Sequence, residues 1–392
     1  MKLLYITPLI PYPAYKGHQI TALSRIKELS KKHDITLLCF YSNEKELKDS
    51  VQYLKKYCSE VIHIRFSILE GIWNILKGVV FSELPLQVLF YKSVAFQNQL
   101  KSLLINNTFT IVHLNCLRLV NYVEIIKPDI PLIIDLIDSY TLNISRRITK
   151  EVFPLNVIFY FELSRVRKYE QKITVMFPNI LVAGEEDKKA ISHNNKIKVI
   201  PLGVDSSFFT RTKPLQFNKR ILFSGNMGYK PNIDAIEWFI ENCWLQIQKE
   251  VPNSMLIVAG ANPTKGILKF NNVNNIKILG KVDSMVEVMN DVQVAIAPMQ
   301  IGSGMQNKIL EAMSCGLPIV STKLGIGSIK ISEIEREVVA NVPSEFSKKC
   351  VHLLNNLTLC NELGAIGKDI IKNKYSIESH CFDLEVFYKQ AI

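Results

Sequence analysis

Residues 297–320 read APMQIGSGMQNKILEAMSCGLPIV, and this run holds the end of a strand, a loop, a helix and a second strand. The apolar stretch Val292–Ala297 reads as a buried strand that stops at Pro298. Gly302 and Gly304 then allow the backbone to approach a ligand closely and offer it N–H groups. The pattern predicts a helix over Met305–Cys315 and a strand over Pro318–Ser321. A helix start favours an anion through its exposed N–H groups and its dipole. Lys308 falls in the first turn and Glu311 three residues later, so the two share one face. A cation in a first turn opposes the dipole unless an anion sits there, and a carboxylate beside it can hold sugar hydroxyls. The plain alternative is a surface Lys–Glu pair on an amphipathic helix.

Working outward, the flanking sequence repeats the strand–loop–helix order. In the second half, Arg220–Ser224, Met255–Ala259 and Ile276–Leu279 read as further strands, with helices over Ile233–Lys249 and Ser284–Asn290. The loop in FSGNMGYKPN, 223–232, leaves a strand and enters a helix. Lys230 there can neutralise phosphate. In the first half, strands are expected at Lys2–Thr7, Ile35–Tyr41, Val61–Ile64, Thr110–Leu114, Leu132–Leu136, Ile180–Ala183 and Ile197–Ile200. They are rich in Ile, Leu and Val with little alternation, the mark of parallel strands covered on both faces. Helical patterns such as Gly17–Lys32 and Asn43–Lys56 lie between them. The order predicts two α/β domains, each a doubly wound parallel sheet. Such sheets bind ligands beyond the carboxyl ends of their strands. The run PYPAYKGH, 11–18, links the first strand to the first helix, and Gly17 either admits a diphosphate or serves a plain turn. His113 and Asn115 close one strand; Asp135, Asp138 and Ser139 close the next.

The 392 residues, 48% hydrophobic and 21% charged, suit two globular domains and exclude long disorder. No apolar run reaches the ~18–20 residues of a spanning helix. The N-terminus lacks a secretory leader, so the chain is expected in the cytoplasm. The eight cysteines are scattered, with no CxxC pair and no zinc spacing. There is no D-x-D pair, no G-x-G-x-x-G and no P-loop. Residues 1–200 carry 27 basic and 18 acidic residues, and 201–392 carry 20 and 18. The basic half points to an anionic partner, either a phosphorylated ligand or an anionic membrane face. Nucleic acid is not expected, since no recognition motif or Lys/Arg run appears. The mostly helical stretch from Phe66 to Leu104, with Trp73, Phe81 and Phe90 among Lys77, Lys92 and Lys101, is either an insert packed on the sheet or an interfacial element.

Together, PYP…KG17, VIPLGVD205, GNMGYKPN232 and GSGMQNKILEAMSCGLPIV320 resemble retaining glycosyltransferases of the GT-B fold, of the family-4 type. The likeness covers nearly the whole chain. IIDLIDS139 and RKYE170 bring it closer to bacterial enzymes that build exopolysaccharide, capsule or O-antigen units. It implies two Rossmann-like domains facing a central cleft. These are an acceptor-side domain over 1–200, with a final helix at about 377–392 packing back on it, and a donor-binding domain over 201–376. The donor is a nucleotide sugar. The acceptor is a glycan or polyprenyl-linked glycan. No cofactor and no metal is implied. The resemblance assigns catalytic roles to Lys308, Glu311 and Lys230. It assigns donor contacts to Gly225, Asn226, Ser303, Gly304, Met305, Gln306 and Asn307, and acceptor-side roles to Gly17, His18, His113, Asp138 and Ser139. Two positions depart from the pattern. Ser303 stands where E-x7-E has its first Glu, and Asn226 where an arginine is usual. A nucleotide-sugar epimerase of the same fold and a non-catalytic nucleotide-sugar-binding subunit are the competing readings.

Overall fold

The computed structural model describes residues 1–149, 152–192, 196–211, 214–302 and 304–392. The chain divides into two units, Met1–Pro201 with His380–Ile392, and Leu202–Ser379. In the first unit β1 (Lys2–Thr7), β2 (Asp34–Tyr41), β3 (Glu60–Arg65), β4 (Ile111–Asn115), β5 (Leu132–Ile137), β6 (Ile180–Val182) and β7 (Ile197–Val199) form one sheet. Its order is β3-β2-β1-β4-β5-β6-β7, and every pair is parallel. Leu3, Leu4, Tyr5 and Ile6 of β1 are all buried, so both faces of this strand are covered. The chain winds outward from β1 to β3, returns to β4 on the other side of β1, and winds outward again. The carboxyl ends of β1 and β4 therefore flank the point where the order reverses.

The second unit repeats the plan with β8 (Arg220–Ser224), β9 (Met255–Ala259), β10 (Ile276–Gly280), β11 (Val294–Ala297) and β12 (Ile319–Ser321). The order is β10-β9-β8-β11-β12, again parallel throughout. Its reversal lies between β8 and β11. Both sheets are doubly wound, as the apolar runs predict.

Two elements differ from expectation. The helix after β8 starts at Lys230 rather than Ile233, because Pro231 suits a first helical turn, and it passes through a π turn at Ile240–Trp244. The helix after β11 begins at Asn307, not Met305. Met305 is buried, its sulfur accepting from Leu202 N at 3.4 Å, and Gln306 is still extended. The apolar run after Val152 becomes the first turns of a 22-residue helix, Leu155–Met176. No helix among the described residues is long and apolar enough to cross a membrane.

The first turn of the Ile377–Ala391 helix is held by a buried polar cluster in the first unit. Arg25 forms an ion pair with Asp135, and its Nε donates to His380 Nε2 at 2.8 Å. His380 must then donate from Nδ1 to the Pro201 carbonyl. Burial and the neighbouring Arg25 push His380 down to about 3, so it stays neutral. Burial alone would raise Asp135, but Arg25 and His113 hold its carboxyl down at about 2.

Candidate functional site

In the second unit the reversal between β8 and β11 gathers glycine backbone and one buried cation. Gly225 follows β8 at φ +150. A Cβ there would lie 2.8 Å from Asn232 Nδ2 and 3.3 Å from Lys308 Cε, so only glycine leaves room for both. The neighbouring loop presses in equally closely. A Cβ on Gly260 would lie 1.8 Å from the Gly225 carbonyl oxygen.

Across the reversal, the loop after β11 carries Gly302 and Gly304 at φ +134 and +73 and leads into the Asn307–Ser314 helix. Lys308 in its first turn is 8% exposed. Its ammonium donates to Asn232 Oδ1 at 2.7 Å, Gln306 Oε1 at 3.3 Å and Met299 Sδ at 3.4 Å, and lies 5.4 Å from the Phe223 ring centroid. None of these partners carries a charge. Burial lowers Lys308 to about 8, with Glu311 opposing. Glu311 is partly exposed, and burial raises it to about 7 against the pull of Lys308. The two share a helix face, yet among the described residues no ion pair joins them. The cation is turned instead toward Gly225 and Asn232.

The other donor-side residues are placed as follows. Asn226 Oδ1 accepts from Gly228 N at 2.9 Å, and its carbonyl accepts from Asn232 Nδ2 at 3.0 Å. Asn232 thus ties the β8 loop to Lys308. In the sequence Asn232 is only the end of a loop motif; its role depends on a contact 76 residues away. Lys230 opens its helix half-exposed and pairs with Asp234. Met305 is buried, Gln306 is the helix N-cap and Asn307 the first helical residue. Ser303 lies outside the described residues.

In the first unit the reversal between β1 and β4 brings together Lys16, His18 and Arg118. Gly17 is exposed at the helix start, between Lys16 and His18. His18 Nε2 is buried and has no hydrogen-bond partner among the described residues. Burial, then Arg118 and Lys16, hold His18 well below its usual value. Lys16 is lowered by burial and by Arg118. Two cations that disfavour a charge on His18, beside its ring nitrogen that has no partner among the described residues, make a site suited to an anion. Arg118 is held by Gln87 Oε1 at 2.9 Å and lies over the Tyr91 ring at 5.4 Å. The rule that ligands gather at strand reversals points to Arg118 once β4 is located, three residues past Asn115.

His113 is wholly enclosed. It stacks on Tyr5 at 4.5 Å, and its Nδ1 is 2.7 Å from Tyr388 Oη. Ser139 is buried too, its hydroxyl capping the Tyr140–Ile148 helix and donating to Glu170. Glu170 also accepts from Tyr140 N at 2.8 Å, which explains RKYE170 as a clamp on that helix start. Asp138 Oδ1 is buried with no hydrogen-bond partner among the described residues, and burial, with Asp187 and Asp135 nearby, raises its carboxyl well above the usual range. The strand ends here are strained: Cys116 and Ile137 adopt φ 77 and 65, rare for non-glycine residues.

Comparison with known proteins bears on this arrangement. Residues 218–356 match the family model described as Glycosyl transferases group 1, which spans β8 to β12 and both of their ligand loops. The chain is a glycosyltransferase of the GT-B fold. An uncharacterized 44.6 kDa protein in the cps region of Klebsiella pneumoniae is 24% identical over 396 residues, 95% of this chain and 96% of that one. A mutant of S. aureus TarM, solved with Fondaparinux, alpha-GlcNAc-glycerol and UDP, aligns with a TM-score of 0.71 at 12% identity over 99% of this chain and 100% of its own. WaaG, a glycosyltransferase involved in lipopolysaccharide biosynthesis, aligns with a TM-score of 0.66 at 11% identity over 97% of this chain and 98% of its own. At such identities the solved structures show the fold; the family match supplies the activity. In this glycosyltransferase the matched region holds Gly225, Asn232, Gly304, Lys308 and Glu311.

Proposed function

We propose that the enzyme moves a hexose-type sugar from a nucleoside diphosphate to a glycan acceptor, polyprenyl-linked, with retention of anomeric configuration. The work would take place at the inner face of the membrane, during assembly of a cell-surface polysaccharide. The observation that carries this reading is Lys308, a buried ammonium among neutral partners at the reversal of the second sheet. A buried cation is costly unless a counter-charge arrives. A diphosphate supplies that charge. As the sugar–phosphate bond breaks, negative charge grows on the leaving diphosphate. Lys308 and the backbone N–H groups along the loop that leads to it would take that charge up, and each such preorganised donor contributes ~2.7–4 kcal/mol to a transition state. Glu311 would accept from ribose hydroxyls. Lys16, His18 and Arg118 would meet a phosphate of the acceptor. The UDP and GlcNAc-glycerol held by TarM, and the lipopolysaccharide role of WaaG, are in keeping with this choice of partners. The basic first 200 residues favour an anionic membrane face, at ~1 kcal/mol per basic residue near the surface.

The test is a panel of nucleotide sugars, with and without a polyprenyl-linked acceptor, followed by diphosphate release and product NMR. Turnover that depends on acceptor, survives excess EDTA and yields a retained anomeric centre is expected. Loss of activity on chelation with recovery in manganese, or an inverted product, counts against the mechanism. An isomerised sugar without acceptor would mark an epimerase, and binding without product a non-catalytic subunit.

The lowered Lys308 has a pH consequence. A bound diphosphate stabilises the charged ammonium and raises its pKa, so binding takes up a proton once the free enzyme has lost it. Lys308 is charged below about 8. Nucleoside diphosphate affinity is therefore expected to fall as pH rises above that value, by up to about tenfold per unit. Calorimetric titration of Lys308→Arg, whose guanidinium stays charged, is expected to show a flat profile over the same range. An alkaline fall of equal steepness in both proteins would place the titrating group elsewhere.

A further inference from the structure

The Ile68–Phe81 helix is built inside out. Its fully buried residues are Gly71 and Gly78. A Cβ on Gly71 would lie 2.6 Å from the Phe90 ring, and one on Gly78 2.4 Å from Leu89 Cδ1. The helix thus lays its glycines on the Leu86–Phe90 helix and turns its large apolar side chains outward. Leu69 is 81% exposed, Leu76 60%, Val80 73% and Phe81 88%. A surface helix in water does the reverse, giving the core its apolar stripe. Trp73 lies on the exposed side, with the Lys77 ammonium 4.9 Å from its ring centroid. That lysine runs its stem along apolar surface and keeps its head outside it.

A second element sits beside the first. Phe153, Ile158, Tyr160 and Phe161, around the start of the Leu155–Met176 helix, are also exposed. One turn beyond Phe161, Arg165 donates to the Val79 carbonyl at 2.7 Å, and Glu162 accepts from Leu86 N at 2.8 Å. The first bond fastens this helix to the end of the Ile68–Phe81 helix, and the second to the start of the Leu86–Phe90 helix on which the glycines lie. Of the 29 exposed large apolar side chains among the described residues, 15 fall within 68–81 and 152–161. Ordinary monomers do not concentrate them so. Basic groups meet the aromatic side chains of this surface, while Glu70 and Glu83 also lie along the first segment and just after it. Lys77 and Arg165 border the surface, and the Arg147 guanidinium lies 4.4 Å from the Phe159 ring centroid. Aromatic and aliphatic side chains edged by cations suit the boundary between lipid headgroups and acyl chains.

We propose that these two segments form one wedge that inserts its side chains into the headgroup–acyl boundary of an anionic bilayer. The inference rests on the reading that the enzyme works at an anionic membrane face. It goes further, since attachment by charge alone leaves the apolar side chains in water.

The full chain is mixed with vesicles of phosphatidylcholine alone, or with an equal part of phosphatidylglycerol, at low salt and at about 1 M, where the screening length is ~3 Å. Insertion predicts flotation with anionic vesicles that persists in part at high salt, and quenching of Trp73 by brominated acyl chains. Trp73→Phe is expected to lose that quenching and to keep the binding. Leu69→Glu and Phe161→Glu, both at exposed positions, are each expected to lower partition at least tenfold with unchanged thermal unfolding. Binding that vanishes at high salt, with no quenching, keeps the membrane reading and overturns the wedge. No binding at any salt removes both. A vesicle-independent dimer, seen by light scattering and abolished by Leu69→Glu, assigns the surface to a second copy and overturns the proposal.

Discussion

Lys308→Met is expected to reduce kcat/KM for the nucleotide-sugar donor by about 100-fold or more, while the melting temperature stays level or rises. Two physical effects point in opposite directions here. In the free protein the ammonium is buried among Asn232, Gln306 and Met299, none of which is charged. Burial without a counter-ion costs stability, which methionine of similar length removes. In the transition state the same ammonium meets a growing charge on the diphosphate, where a charge-assisted donor contributes ~2.7–4 kcal/mol. Stability and activity therefore separate. A variant that loses both together would mean that Lys308 holds the loop rather than the ligand. A variant that retains activity within about twofold would place the phosphate elsewhere. Donor turnover and differential scanning calorimetry on the same preparation read the two effects.

Gly260→Ala is expected to do the reverse, damaging stability first and activity through it. Gly260 has φ +148, and an added Cβ would fall 1.8 Å from the Gly225 carbonyl oxygen. Both atoms belong to backbone pinned by the sheet, since Gly225 N donates to Ala259 O at 3.0 Å and Gly260 N to Gly280 O at 2.8 Å. Neither can yield as a side chain would. Backbone strain of ~1–3 kcal/mol and overpacking of similar size combine here. A loss of about 2–6 kcal/mol follows, with melting lowered by roughly 2–4 °C per kcal/mol. Whatever remains folded must displace Gly225 from Lys308 and Asn232, so donor affinity falls as well. Gly266→Ala is the control: its nearest neighbours lie 3.6 and 3.8 Å away, both side-chain atoms, and its melting is expected to stay near that of the parent. Equal effects of the two substitutions would remove the close-approach argument.

All twelve strands of the two sheets lie within a few residues of the apolar runs that predict them. A buried parallel strand is a local property: four to eight branched or aliphatic residues, stopped by Gly, Pro, Asn or Asp. The doubly wound class followed from the order of these runs. Gly225, Gly302 and Gly304 were legible because a loop that needs positive φ leaves glycine in the sequence. The inside-out helix was legible only as apolar content. Which face it shows depends on Phe90 and Leu89 meeting Gly71 and Gly78, and its partnership with 152–161 depends on Arg165.

The sequence by itself determined where the strands and ligand loops fall, and with them the fold class, because each rests on side chains adjacent along the chain. Only the tertiary structure decided what the polar side chains do. Spacing pairs Lys308 with Glu311, three residues on, but the ammonium bonds Asn232, 76 residues back. Lys230, read as a phosphate ligand, pairs with Asp234. His113 closes a strand as expected, yet Tyr388, 275 residues later, caps its ring nitrogen. Arg25, one residue among many in a helical stretch, becomes the buried link between Asp135 and His380. A charged or hydrogen-bonding group takes whichever partner the packed backbone brings within about 3 Å. That choice is made among residues far apart in sequence, after the sheets have formed, and no local pattern records it.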